Sequence, residues 1–121
     1  KQSNIDLAKE MCKDSDNITY QVSNVATDDW DYPNCDVVFI DASHDYPQIL
    51  LDIKKALNYF DNPIIILDDH GNPNNISIRK AIDEMVDTNK LKIKKYIGEK
   101  LGFETKSGWC MNDREGVICT V

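Results

Sequence analysis

The sequence predicts an α/β fold built on a parallel sheet. Two observations carry this. The runs "CDVVFID" (35–41) and "PIIILDD" (63–69) are short, continuous and rich in β-branched residues, as strands buried on both faces are. Each is followed by a stretch with the apolar spacing of an amphipathic helix, and strand–helix–strand–helix order implies parallel strands with helices on both faces.

The elements follow in chain order. Ile5, Leu7, Ala8, Met11 and Cys12 recur at helical spacing over 4–13, with Ser3 or Asn4 as the cap. "DSDN" (14–17) reads as a turn, "ITYQVSNVA" (18–26) as a strand that fades into polar residues, and "TDDWDYPN" (27–34) as a loop. After the strand at 35–41, the helix at 46–60 has Pro47 in its first turn and Ile49, Leu50, Ile53, Ala56, Leu57 and Phe60 on one face. The strand at 63–69 leads to an amphipathic helix at 76–90. "KIKKYIGEK" and "EGVICTV" read as two final, paired strands.

The bounds on function come from size and charge. The chain has 121 residues and a net charge of −7, which fits one domain and argues against general binding to a phosphate backbone. The lysines of "KLKIKK" read as a solvated strand edge or helix end. No apolar run approaches the roughly 18 residues that span a bilayer. The opening residues have no signal-peptide pattern, and Cys12, Cys35, Cys110 and Cys119 show no C-x-x-C spacing. A cytoplasmic protein with free thiols is expected, although Cys110 and Cys119 are placed to face each other across the final hairpin.

The chemistry gathers at two strand ends. Asp41 ends the first buried strand, with His44 three residues on; Asp68 and Asp69 end the second, with His70 next. In a parallel sheet, ligands sit beyond the carboxyl ends of the strands. A right-handed crossover through the helix at 46–60 makes the two strands neighbours, so the three acids converge. Each acid alone is compatible with capping the turn that follows it. Three together repel one another unless one is protonated or a cation lies between them, and Mg²⁺ is the natural hard-oxygen occupant. A histidine beside such a site has the pKa of a general base, while a loop histidine is as readily a hydrogen-bonding residue.

These residues bring a family into view. "DVVFIDASHDYPQILLDIKKAL", then "PIIILDDHG", then "SIRKAIDEM", resembles the class I S-adenosylmethionine-dependent methyltransferases. The branch it is most similar to has a fourth strand ending F-I-D-x-x-H-x-Y (here Phe39, Ile40, Asp41, His44 and Tyr46) and a fifth ending D-D (Asp68 and Asp69). The resemblance implies a Rossmann-like sheet closed by an antiparallel hairpin, Mg²⁺ or Mn²⁺ held by Asp41, Asp68 and Asp69, and S-adenosylmethionine as methyl donor. "VSNVA" stands where the family's third strand ends beside the cofactor adenine. That assigns Ser23, Asn24 and Val25 to the cofactor along with Asp41, with Asn24 where an acid is usual.

One departure matters. The family's cofactor loop is glycine-rich and follows strand one, whereas the five glycines here (Gly71, Gly98, Gly102, Gly108 and Gly116) all lie in the second half. Residues 1–121 are therefore expected to be the back two-thirds of a methyltransferase domain, with its N-terminal strands elsewhere, and to be poorly stable alone.

The expected reaction is Mg²⁺-assisted O-methylation of a vicinal diol. With few aromatics near the site, the acceptor is expected to be a sugar or other small molecule, bound without nucleic acid or membrane; a homo-oligomer is compatible. His44 or His70 is the expected catalytic base, with the family pattern leaning toward His44. A non-catalytic methyltransferase-like binding or scaffolding module is the alternative. A phosphorelay receiver domain fits poorly, because its acidic pair precedes the lone Asp in the chain and here Asp41 comes first.

Overall fold

The structure, a computed structural model, describes residues 2–41, 43–72, 76–98 and 115–121. Seven elements follow one another: α1 (Gln2–Met11), β1 (Val37–Ile40), α2 (Tyr46–Tyr59), β2 (Ile64–Leu67), α3 (Ser77–Asp87), β3 (Lys92–Ile97) and β4 (Gly116–Thr120). The four strands form one mixed sheet in the order β1-β2-β4-β3.

β1 and β2 are parallel neighbours, with Val37 opposite Ile64 and Ile40 opposite Leu67. The crossover through α2 does what the sequence predicts. Its Pro47 sits in the first turn, where a missing N–H costs nothing, and the helix stops where the Phe60 N–H donates to the Ala56 carbonyl at 3.0 Å. β4 runs antiparallel to both β2 and β3, so the expected C-terminal hairpin is present and its last strand is inserted between the two. At Gly116 a side chain has no room, because a Cβ there would lie 2.9 Å from the Leu67 carbonyl oxygen.

The expectation of helices on both faces is corrected. α2 and α3 lie together on one face. Their buried residues Ile49, Ile53, Ala56, Ile78, Ile82 and Met85 form one core with Ile65 and Leu67 of β2 and Val117 and Cys119 of β4. Strand alternation sends the neighbours of those residues the other way. On that second face Val37 is 49%, Phe39 60% and Ile64 37% exposed, and among the described residues no helix covers them.

The strand expected at 18–26 is also corrected, since that segment forms no strand. Its β-branched residues have strand propensity, but no described strand pairs with it, and propensity without a partner does not hold a strand. A tight turn forms instead at Asn24–Asp28. The Asn24 side-chain carbonyl accepts the Ala26 N–H at 3.0 Å, and the Asp28 carboxylate accepts the Asn24 N–H at 2.7 Å. Lys55 of α2 fastens the turn by donating to the Val25 carbonyl at 2.8 Å, and stacks 5.1 Å from the Trp30 ring.

α1 agrees with the expected helix, but its apolar stripe is only half seated, with Leu7 and Met11 exposed. Tyr20 ties it down through a hydrogen bond to the Ala8 carbonyl. The lysines Lys92, Lys94 and Lys95 lie on the outer strand β3, as a solvated edge requires. Cys12, Cys35 and Cys119 are free thiols, and burial pushes the Cys119 thiol up to about 11. Cys110, and with it the expected juxtaposition with Cys119, lies outside the described residues. No helix among the described residues is long and apolar enough to cross a membrane.

Candidate functional site

The parallel register sets the site. Because Ile40 is opposite Leu67, Asp41 and Asp68 leave adjacent strands at the same level, and the Asp68 N–H reaches the Ile40 carbonyl at 3.4 Å. Asp41, His44 and Asp68 line one narrow crevice beyond the strand ends. Its floor is made by Ile49 of α2, Leu67 of β2 and Ile78 of α3.

Asp69 takes a different course. Its φ of 54° puts it in the left-handed region, which an Asp tolerates better than most residues. The chain turns sharply there, and the Asp69 carboxylate meets the imidazole of His44, with Nε2 to Oδ2 at 3.1 Å. Both side chains are roughly two-fifths exposed, so the pair adds little to stability, about 0–1 kcal/mol at most. Its chemical effect is orientation. A carboxylate on Nε2 fixes the ring and favours the tautomer that carries the other lone pair on Nδ1.

His70 goes elsewhere. It is 5% exposed, and its ring packs 5.4 Å from that of Tyr96 on β3. The structure therefore separates the two histidines, one in the crevice and one in the packed interior beside β3.

Among the described residues no group of three His, Cys, Asp or Glu side chains is drawn close enough to hold a metal ion. Asp41 and Asp68 share the crevice, while Asp69 is turned to His44.

Of the residues expected near a cofactor, Ser23 is half-buried, and Asn24 is exposed with its side-chain carbonyl engaged within the turn. Val25 and Asp41 do come together. With Trp30, Val38 and Ile40 they border a second crevice of about 150 Å³ on the β1 side of α2.

That crevice contains a residue the sequence reading passed over. Asp52 of α2 is 5% exposed and lies within the helix's apolar stripe, three residues after Ile49 and four before Ala56. The signal was an acid at core spacing. Gln48 donates to Asp52 Oδ1 at 2.7 Å, and Oδ2 is buried with no hydrogen-bond partner. Burial raises the Asp52 carboxyl above its ordinary value, and the Gln48 hydrogen bond pulls weakly the other way. The α2–α3 contact has no signature in the sequence: Tyr46 donates to Glu84, and Lys80 lies 5.1 Å over the Tyr46 ring.

Comparison with protein-family models, with curated proteins and with solved structures returns no match.

Proposed function

We propose that this chain is part of a class I S-adenosylmethionine-dependent O-methyltransferase that works with Mg²⁺ or Mn²⁺ on a hydroxyl of a sugar or other small molecule. The observation that carries the reading is the meeting of Asp41, His44 and Asp68 in one crevice at the carboxyl ends of adjacent parallel strands, with Asp69 behind His44. The closing antiparallel hairpin supports it as well.

The donor set suits a hard divalent cation in part. Asp41 and Asp68 line the same crevice, and Asp69 joins them only by releasing His44. A cation held there lowers the pKa of an acceptor hydroxyl and polarises it. The remaining work belongs to the chain. The Asp69 carboxylate meets His44 at Nε2 and orients the imidazole, the group proposed to take the hydroxyl proton. His70, buried against Tyr96, is not placed for that task. Ile49, Leu67 and Ile78 keep the crevice floor apolar, which strengthens the electrostatics above it.

A non-catalytic binding module is the second reading, favoured by the Asn24 carbonyl, which is spent within its own turn rather than turned outward to a base. Calorimetry on the intact polypeptide separates the two. The methyltransferase reading expects S-adenosylmethionine to bind, and Mg²⁺ or Mn²⁺ to bind at least about tenfold more weakly to Asp68→Asn. Equal metal affinity in both chains would sink the shared site, and cofactor that fails to bind leaves the module.

A further inference from the structure

We propose that the sheet face opposite α2 and α3 receives helix α1 of a second copy of this chain, and that the exchange is mutual, so that two copies close into a two-fold pair. The face is built in rows, because residues opposite one another across a ladder point the same way. Val37 stands beside Ile64, and Phe39 beside Ile66, which stands beside Ile118. At β3 the apolar surface ends in lysine: Lys95 lies opposite Ile118, and Lys92 opposite Thr120. Strand alternation turns all of these side chains away from the core that holds Ile65, Leu67, Val117 and Cys119. The face is therefore an apolar floor across β1, β2 and β4 with a basic rim along β3.

α1 carries the matching pattern. Ile5, Ala8 and Cys12 are half-buried and mark the side turned to the rest of the chain. Leu7 and Met11, 62% and 77% exposed, form a ridge on the outer side. Asp6 and Glu10, also exposed, form the next ridge. Each pair is four residues apart, about 6 Å along a helix axis, and side chains on one face of a strand repeat at roughly 7 Å. An apolar ridge beside an acidic ridge thus fits an apolar floor beside a basic rim.

Charge and symmetry point to a second copy as the occupant. With a net charge of −7, copies repel one another unless the lysines of one meet the acids of the other. Both halves of the contact stand on the same chain, so one two-fold axis makes it twice and covers both exposed surfaces together. The present partners do not prevent this. Glu10 faces Lys13 at 3.3 Å and Lys92 donates to the Val121 carbonyl at 3.4 Å, and these are exposed contacts that cost little to exchange. The pairing stands apart from methyl transfer, since none of these residues lines the strand-end crevice. Sedimentation reads it whether or not S-adenosylmethionine binds, so the two readings fail separately.

The test is sedimentation equilibrium of the full chain at neutral pH, which should show a monomer–dimer equilibrium. Phe39→Glu on the sheet side and Leu7→Glu on the helix side should each weaken pairing by at least about tenfold. Both positions are exposed, circular dichroism checks that each variant is folded, and Met11→Glu replaces Leu7→Glu if it is not. Lys92→Glu with Lys95→Glu should also weaken the pair, and adding Asp6→Lys with Glu10→Lys in the same chain should restore it. A monomer at all concentrations overturns the proposal and leaves the face to another part of the polypeptide or to another protein. A dimer that Phe39→Glu breaks but Leu7→Glu and Met11→Glu leave intact also overturns it, because the sheets then meet without α1.

Discussion

Two strand ends of nearly the same composition meet different fates. Each is an apolar run that stops in aspartate and carries a histidine soon after. At the end of β1, three residues separate Asp41 from His44, enough for the chain to bring the imidazole back over the strand ends to Asp69. At the end of β2, His70 follows Asp69 directly, and the left-handed turn at Asp69 sends the imidazole under Tyr96. Spacing after the strand, not residue type, decides which histidine reaches the crevice.

The largest expected effect sharpens this contrast. On the proposed methyltransferase reading, His44→Ala in the intact polypeptide should lower kcat by about 10²- to 10⁴-fold with metal and cofactor affinity nearly unchanged. His70→Ala should act the other way, leaving kcat close to normal and lowering stability by roughly 0.5–3 kcal/mol through lost packing on Tyr96. Kinetics and denaturant melts on the two variants decide it. A catalytic loss confined to His70→Ala would reverse the assignment.

A smaller effect is expected at Asp69, which serves both strand ends. Asp69→Asn keeps a residue that tolerates positive φ but removes the charge facing His44, so kcat should fall by less than in His44→Ala and stability should change by no more than about 1 kcal/mol. Asp69→Gly relieves the backbone and also removes the carboxylate. The Gly variant should therefore be at least as stable as the Asn variant and no more active. If the Asn and Gly variants keep full kcat, Asp69 does not orient the base.

The smallest effect concerns Asp52, the acid buried beside β1. Its carboxyl is raised in the folded chain, mainly by burial, so the folded state holds that proton at pH values where the unfolded chain has released it. Stability from this group is therefore full below the ordinary Asp range and is lost as pH rises through the raised value. Asp52→Asn should flatten the stability-versus-pH curve there, as denaturant melts across mildly acid pH will show. An unchanged slope would mean that Asp52 is not held protonated by its surroundings.

Much of the fold was legible because periodicity and burial agreed. The expected stripe residues Ile49, Ile53 and Ala56 of α2 are buried, with Asp52 among them, and the expected amphipathic helix α3 buries Ile78, Ala81, Ile82 and Met85. β1 and β2 lie within the expected runs, shortened by one to two residues at each end, where the aspartates and the flanking Cys35, Asp36 and Pro63 leave the ladder. The segment at 18–26 misled because strand propensity says nothing about the availability of a partner. Covering helices on both faces were inferred from continuous apolar runs, yet in β1 those runs include Val37 and Phe39, which face outward. At the site, convergence of Asp41 and Asp68 followed from the crossover rule. The Asp69–His44 pairing did not, because it depends on one backbone angle. Asp52 was visible as an acid at core spacing, but its significance rests on an oxygen without a partner, which no pattern of letters displays.

The two borders of the sheet differ in a way that limits how copies of this chain can join. Along β3, the row of Lys92, Lys94 and Lys95 repels a further strand. Along β1, Val37 and Phe39 stand exposed beside backbone groups that, among the described residues, no strand engages. Strand addition is therefore one-sided. Two copies that met β1 to β1 would each cover the other's receptive border and present lysines at both ends of an eight-stranded sheet. A pair closed in this way leaves no receptive border among the described strands for a third copy.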